Sequence, residues 1–152
     1  MGQRRLARER ALQILYAVEL TGYALTDVIV DYLEFRSELE NNPKPLEQFT
    51  FDLVEKYLEE AEAVDQRLRD ALINWKLERL SYMDRNILRL ATTELLHFND
   101  IPPRVTINEY IEVAKYFGDE ESPNFVNGVL DRIARAENYD LNNTREKVRV
   151  SE

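Results

Sequence analysis

The chain is expected to fold as an all-α protein of about seven helices in two packed helical subdomains. Three observations predict this. Apolar residues recur at spacings of three and four through most of the chain. Alternation of apolar and polar residues persists nowhere long enough to make a half-buried strand. Four glycines and five prolines in 152 residues are too few for a sandwich or barrel full of tight turns. One domain is expected over 1–140, with an N-terminal helical unit over about 1–74, a C-terminal unit over about 75–140, and a polar tail over 141–152.

The elements follow in order. Ala7, Ala11, Ile14, Leu15 and Val18 form the buried stripe of a first helix that ends near Gly22, with Arg4, Arg5 and Arg8 beside that stripe. Thr26 or Asp27 can cap a second helix carrying Val28, Ile29, Tyr32, Leu33 and Phe35. Asn41-Asn42-Pro43-Lys44-Pro45 reads as a short linker between helices. Phe49, Leu53, Tyr57 and Leu58, then Val64, Leu68, Leu72 and Ile73, give two stripes and hence two helices with a break near Ala61. Ser81 to Asp84 resembles a capping box ahead of a central helix that is apolar around much of its circumference, from Ile87 to Phe98. Ile101-Pro102-Pro103 ends it. Thr106 with Glu109 reads as a second capping box, opening a helix that Gly118 closes in a left-handed conformation. Ser122-Pro123 reads as a cap followed by proline at the first helical position, and the last helix carries Phe125, Val126, Val129, Leu130 and Ile133. After about Asn138 the chain is expected to fray.

Charge is the feature that points to function. Arg4, Arg5, Arg8 and Arg10 against Glu9 make the first ten residues +3 in a chain of net charge -9, so the remaining 142 residues carry -12. Spacings of three and four place Arg4, Arg5 and Arg8 on one helical face. Cations at a helix N-terminus oppose the macrodipole, which argues for a use that compensates. Such a patch suits an anion, and nucleic acid is the natural one, because arginine forks onto phosphate and stacks on bases. An acidic chain overall is a poor generic binder of nucleic acid, so the contact must be local and helped by a basic partner. A solubilising helix start, or salt bridges to the acidic remainder, is the plainer alternative.

Other chemistry finds little support. Without cysteine there are no disulfides, thiolate metal sites or cysteine nucleophiles. His97 is the single histidine and lies on an apolar helix, where a structural role is expected. No phosphate-binding loop, dinucleotide fingerprint, nucleophile elbow or metal-ligand spacing occurs. No catalytic residue, cofactor or metal is therefore expected. No apolar run approaches the roughly 20 residues of a membrane helix, and the expected setting is the cytoplasm. Asn127-Gly128, a turn dipeptide inside a helical pattern, has two readings: close helix packing at Gly128, or a surface where a ligand approaches the backbone near Phe117 and Phe125.

Three blocks of residues resemble the NusB family of bacterial antitermination factors. The first is Arg4 to Glu9 running on to Ala11 to Tyr16. The second is Trp75, Arg79-Leu80, Asp84 to Ala91 and Glu94-Leu95. The third, the most specific, is Pro103 to Glu109, Ala114 to Gly118, Ser122 and Phe125 to Asp131. In this order they cover most of the chain. The resemblance implies an all-helical fold of two subdomains and no enzymatic activity. It implies binding of the boxA element of leader RNA, notably in ribosomal RNA operons, with NusE, a ribosomal small-subunit protein. The pair would join RNA polymerase and other Nus factors and suppress premature termination. By position, Arg4, Arg5, Arg8, Phe117, Glu121 and Phe125 would meet RNA, while Tyr16, Glu78 and Asp84 would face NusE. Asn124 departs from members with a basic residue there. A homodimer in the absence of RNA would bury the arginine helix. The enzyme alternative is the related RNA-binding domain at the head of ribosomal RNA cytosine methyltransferases, whose long cofactor domain has no room in a chain ending at Glu152. A helical scaffold that binds only protein is the third reading.

Overall fold

The computed structural model describes residues 2–41, 45–142, 147 and 150. Seven α-helices occur among them: α1 (Gly2–Thr21), α2 (Leu25–Leu39), α3 (Gln48–Glu59), α4 (Ala61–Ala71), α5 (Tyr82–His97), α6 (Pro103–Phe117) and α7 (Ser122–Ala136), with a 3-10 turn at Leu77–Arg79. No strand is present among the described residues. Part of the expected linker, 42–44, and most of the tail lie outside them.

Helix α5 is the axis of the molecule. Ten of its residues are buried, from Arg85 to Leu95, and it packs against α1, α3, α4, α6 and α7. The helices share one continuous apolar core. Leu12, Ile14 and Leu15 of α1, Leu53 of α3 and Leu68 of α4 meet Ile87, Leu88, Leu90 and Leu95 of α5 there, while Ile107, Tyr110, Val129 and Leu130 close the other side. Helix α2 is peripheral. It packs on α1, only Val28 and Arg36 are buried, and Leu33 and Phe35, read from the sequence as part of its stripe, stand exposed. Leu58 and Ile73 are likewise exposed.

The helix ends correct several sequence readings. Gly22 does close α1, at φ +73°, with its N–H on the Val18 carbonyl at 2.9 Å. Helix α2, however, starts at Leu25 without a side-chain cap, ahead of Thr26 and Asp27. Ser81 caps α5 by accepting from the Asp84 N–H at 3.1 Å, but Asp84 does not complete the box: its carboxylate turns to Ser122. Thr106 and Glu109 are not a capping box at all. Helix α6 begins three residues earlier at Pro103, whose fixed φ suits a first helical position, and the Thr106 hydroxyl is drawn to buried Glu94 at 2.7 Å.

Gly118 is extended, at φ -93°, rather than left-handed. What demands glycine there is space: a Cβ would lie 2.4 Å from the Ser122 Cβ and Oγ. Ser122 is the first residue of α7 rather than its cap; the N-cap position is Glu121, without a side-chain bond, and Asp119 Oδ1 accepts from the N–H groups of Glu121 and Ser122 at 2.9 and 3.1 Å ahead of the helix. The fraying expected after about Asn138 falls largely outside the described residues, but Asn138, Tyr139 and Lys147 are held in place. Asn138 takes φ 59°, and the bonds from Tyr139 N–H to Ala134 and Asn138 N–H to Arg135 make a Schellman closure of α7. Tyr139 is buried with its hydroxyl on the Leu95 carbonyl, and the Lys147 ammonium donates to the carbonyls of Glu94, Leu95 and Phe98 at the C-terminus of α5.

Candidate nucleic-acid interface

The three arginines grouped by spacing on α1 occupy three different environments. Arg4 is exposed, its guanidinium over the Phe49 ring at 4.2 Å, a geometry that presents its flat face and N–H groups outward. Arg5 is half-buried, its side chain 37% exposed. Its Nε and Nη2 donate to the two carboxylate oxygens of Glu109, both at 2.9 Å. Arg8 is inside the protein. Its Nε and Nη2 donate to the carboxylate of Glu94, both at 2.8 Å, with the two side chains 3% and 0% exposed. Arg8 therefore belongs to the buried stripe of α1, not beside it. The reason is helical geometry: Arg8 follows Ala7 and precedes Ala11, and these small residues bring α1 close enough to α5 and α6 for its guanidinium to reach Glu94.

This end of α1 is clamped by three helices. Glu94 on α5 also accepts from the hydroxyls of Thr106 and Tyr110 on α6, at 2.7 and 3.2 Å. Thr50 on α3 donates its hydroxyl to the Ala7 carbonyl at 2.9 Å. Burial pushes the Tyr110 hydroxyl well above its ordinary value, aided by the charge of Glu94, so it stays a donor. The hydrogen bonds from Arg5 hold the Glu109 carboxyl below its usual range.

Of the other candidate RNA residues, Phe117 ends α6, eight residues or about 12 Å along the helix from Glu109, while Glu121 precedes α7 and Phe125 lies in its first turn. Phe117 and Phe125 are half-buried, and Glu121 and Asn124 are exposed. Phe125 meets the edge of Trp75 at 5.8 Å, and both line a cleft of about 230 Å3 with Arg79, Asp84 and Glu121. Of the candidate partner residues, Asp84 lies in that same cleft, its Oδ1 accepting from Ser122 Oγ at 2.6 Å. Glu78 is exposed and paired with Arg69 at 2.8 Å. Tyr16 is half-buried with its ring 5.8 Å from Tyr82. Glu19 accepts from Arg85, Asn86 and Arg89 at 2.7–3.0 Å and ties α1 to α5. The two sets that the sequence kept apart thus meet in this cleft, where Asp84 stands with Glu121 and Phe125.

Several residues were missed. Tyr116 is 84% exposed, its ring 6.0 Å from Phe117; its place one position off the apolar stripe could have flagged it. Trp75, 60% exposed, was legible as the only tryptophan. Glu109 was read as a cap because the Thr-x-x-Glu spacing is also the spacing of two residues facing one neighbour. Gly128 has no close packing to explain it: a Cβ there would meet only Arg132 Nη1, at 3.8 Å. His97 is half-buried, and burial lowers its proton affinity. Among the described residues no cluster of His, Asp and Glu could hold a metal ion, and no helix is long and apolar enough to cross a membrane.

Fold and site define a helical recognition protein, with arginine, aromatic and carboxylate side chains displayed near the two ends of α6. The chain belongs to the NusB family, which matches residues 5–135. It is 47% identical over 131 residues to the transcription antitermination protein NusB of Bacillus cereus (strain B4264), covering 86% of this chain and 96% of that protein. The corresponding protein of Bacillus thuringiensis (strain Al Hakam) is 46% identical over the same extent. Among solved structures, NusB of T. maritima superposes with a TM-score of 0.72 at 37% identity, over 87% of this chain and 90% of that one. A structure of antitermination factors NusB and NusE in complex with dsRNA gives 0.75 at 29% identity, over 90% and 98%.

Proposed function

We propose that this protein is a cytoplasmic transcription antitermination factor that binds the boxA element of leader RNA together with NusE. The pair would enter the RNA polymerase elongation complex with other Nus factors and suppress premature termination, notably in ribosomal RNA operons. The observation that carries the reading is the pair of solvent-reaching arginines, Arg4 and Arg5, on a helix held rigidly by α3, α5 and α6. Arginines placed this way meet phosphates without first having to order a loop. Tyr116 and Phe117, about 12 Å further along α6, and Phe125 in the first turn of α7 offer ring faces and edges to bases. Glu78 and Asp84 supply carboxylates, and Tyr16 an aromatic ring, that would suit a basic partner such as NusE. Likeness to a NusB solved with NusE and RNA supports both partners.

Gel shift with a boxA oligoribonucleotide, with and without NusE, tests this. NusE should tighten binding, and Arg4→Gln with Arg5→Gln should flatten the dependence of log K on log salt by about 1.4, two contacts at about 0.7 each. Binding that is blind to both substitutions would place RNA elsewhere on the molecule.

A further inference from the structure

Two carboxylates at the arginine end of α1, Glu94 and Glu109, have no part in the RNA reading so far, and their surroundings differ. Every acceptor position of Glu94 is taken: Oε1 by Arg8 Nε and the Tyr110 hydroxyl, Oε2 by Arg8 Nη2 and the Thr106 hydroxyl. Arg8 cannot leave it without stranding a buried charge. Glu109 stands between two arginines instead. Arg5 holds it by two bonds of 2.9 Å, while Arg8 Nη1 lies 3.7 Å from its Oε1, close but not bonded. Arg5 is the more exposed member of its pair, 37% against 13%. A carboxylate gripped by an arginine fork has the geometry that a phosphate would have in the same grip.

We propose that Glu109 holds the place of an RNA phosphate: on binding, Arg5 exchanges the Glu109 carboxylate for a backbone phosphate, while Arg8, fixed by Glu94, stays 3.7 Å from Glu109 and offsets part of its charge. The inference rests on the RNA-binding reading and deepens it. Arg4 and Arg5 are contact residues in this scheme, and Arg8 is a positioning residue that touches no RNA.

The arrangement explains why the +3 of the first ten residues is smaller in the folded protein than in the sequence. Glu94 and Glu109 cancel two of the arginines before any ligand arrives. Each phosphate gained by Arg5 replaces an ion pair already made, so this end of the protein discriminates against polyanions that offer charge alone. Firm binding then needs the bases and the basic partner as well.

The test is boxA binding by the full chain with NusE present, across a salt series. Glu109→Gln frees Arg5 and is expected to raise affinity by up to about fivefold, the range of a partly exposed ion pair, with the salt slope kept. Arg8→Met with Glu94→Leu replaces the buried pair by apolar groups. It should weaken binding without changing the slope, because Glu109 loses its second cation, and adding Glu109→Gln should restore the affinity. Should that core replacement fail to fold, NMR of the arginine Nε–H groups in the unaltered protein decides. RNA is expected to shift the Arg5 signal and leave the Arg8 signal in place. An Arg8 signal that moves with RNA, a slope lower by about 0.7 in the core variant, or an affinity indifferent to Glu109→Gln overturns the exchange. No binding by the unaltered protein with NusE overturns the RNA reading itself, and the exchange with it.

Discussion

The Arg8–Glu94 and Arg5–Glu109 pairs lie three residues apart on α1 and have nearly the same fork geometry, 2.8 and 2.9 Å. They differ in their access to water. The first is sealed between α1, α5 and α6; the second opens onto the surface where Arg4 stands. Burial converts one pair into architecture, because neither charge can lose its partner in a medium that solvates it poorly. Exposure leaves the other exchangeable, because water and salt can replace either partner at little cost. The same residue types at the same spacing therefore do different work.

The largest effect should come from breaking the buried pair on one side. Arg8→Ala or Glu94→Gln is expected to cost about 3–5 kcal/mol in urea unfolding, since each strands the other group. A cost below 1 kcal/mol would show that water reaches Glu94 and would erase the contrast. Gly118 after α6 and Gly128 within α7 extend the comparison to packing. Gly118→Ala should cost about 1–3 kcal/mol, because the new Cβ meets Ser122 at 2.4 Å and the Ala114 carbonyl at 2.9 Å. Gly128→Ala should instead stabilise the fold by about 1 kcal/mol through helix propensity, seen as a higher melting temperature, because its Cβ would meet only Arg132 Nη1 at 3.8 Å. If Gly128→Ala also weakens RNA binding, a ligand approaches the α7 backbone there.

Arg5→Gln is the mild counterpart to Arg8→Ala and should cost under about 1 kcal/mol of stability while flattening the salt dependence of RNA binding. The smallest effect is in pH. The Glu109 carboxyl is held below its ordinary value by Arg5, so its contribution to stability is full above that value. The contribution is lost as the pH falls through the lowered one. Comparing acid unfolding of the unaltered protein with that of Glu109→Gln should show a shallower decline in the variant between about pH 5 and 3.

Much of this was legible in the chain. The stripes of α1, α3, α4, α5 and α7, the stop at Gly22 and the break before Ala61 follow from periodicity and local chemistry. The helix starts were less legible. Thr26 and Asp27 look like caps, and so do Thr106 and Glu109, because a hydroxyl near a helix start has the same local signature whether it serves the backbone or a distant acid. Only the approach of α5 shows that Thr106 serves Glu94. Tyr139 and Lys147 were read as part of a fraying end, since nothing nearby in sequence holds them; their partners, Leu95, Glu94 and Phe98, lie more than 40 residues away.

The site divides along the same line. Sequence alone determined that four arginines crowd one helix start, that the remainder is acidic, and that three motif blocks run in a recognisable order. These are properties of composition and short spacing, which need no partner to exist. Tertiary structure decided which arginine faces water, that Glu109 competes for Arg5, and that Asp84 and Phe125 share a cleft. Charge in a sequence has a sign but no dielectric. Only the folded chain, by placing Arg8 against Glu94 away from water and Arg4 in it, gives each charge its strength and its task.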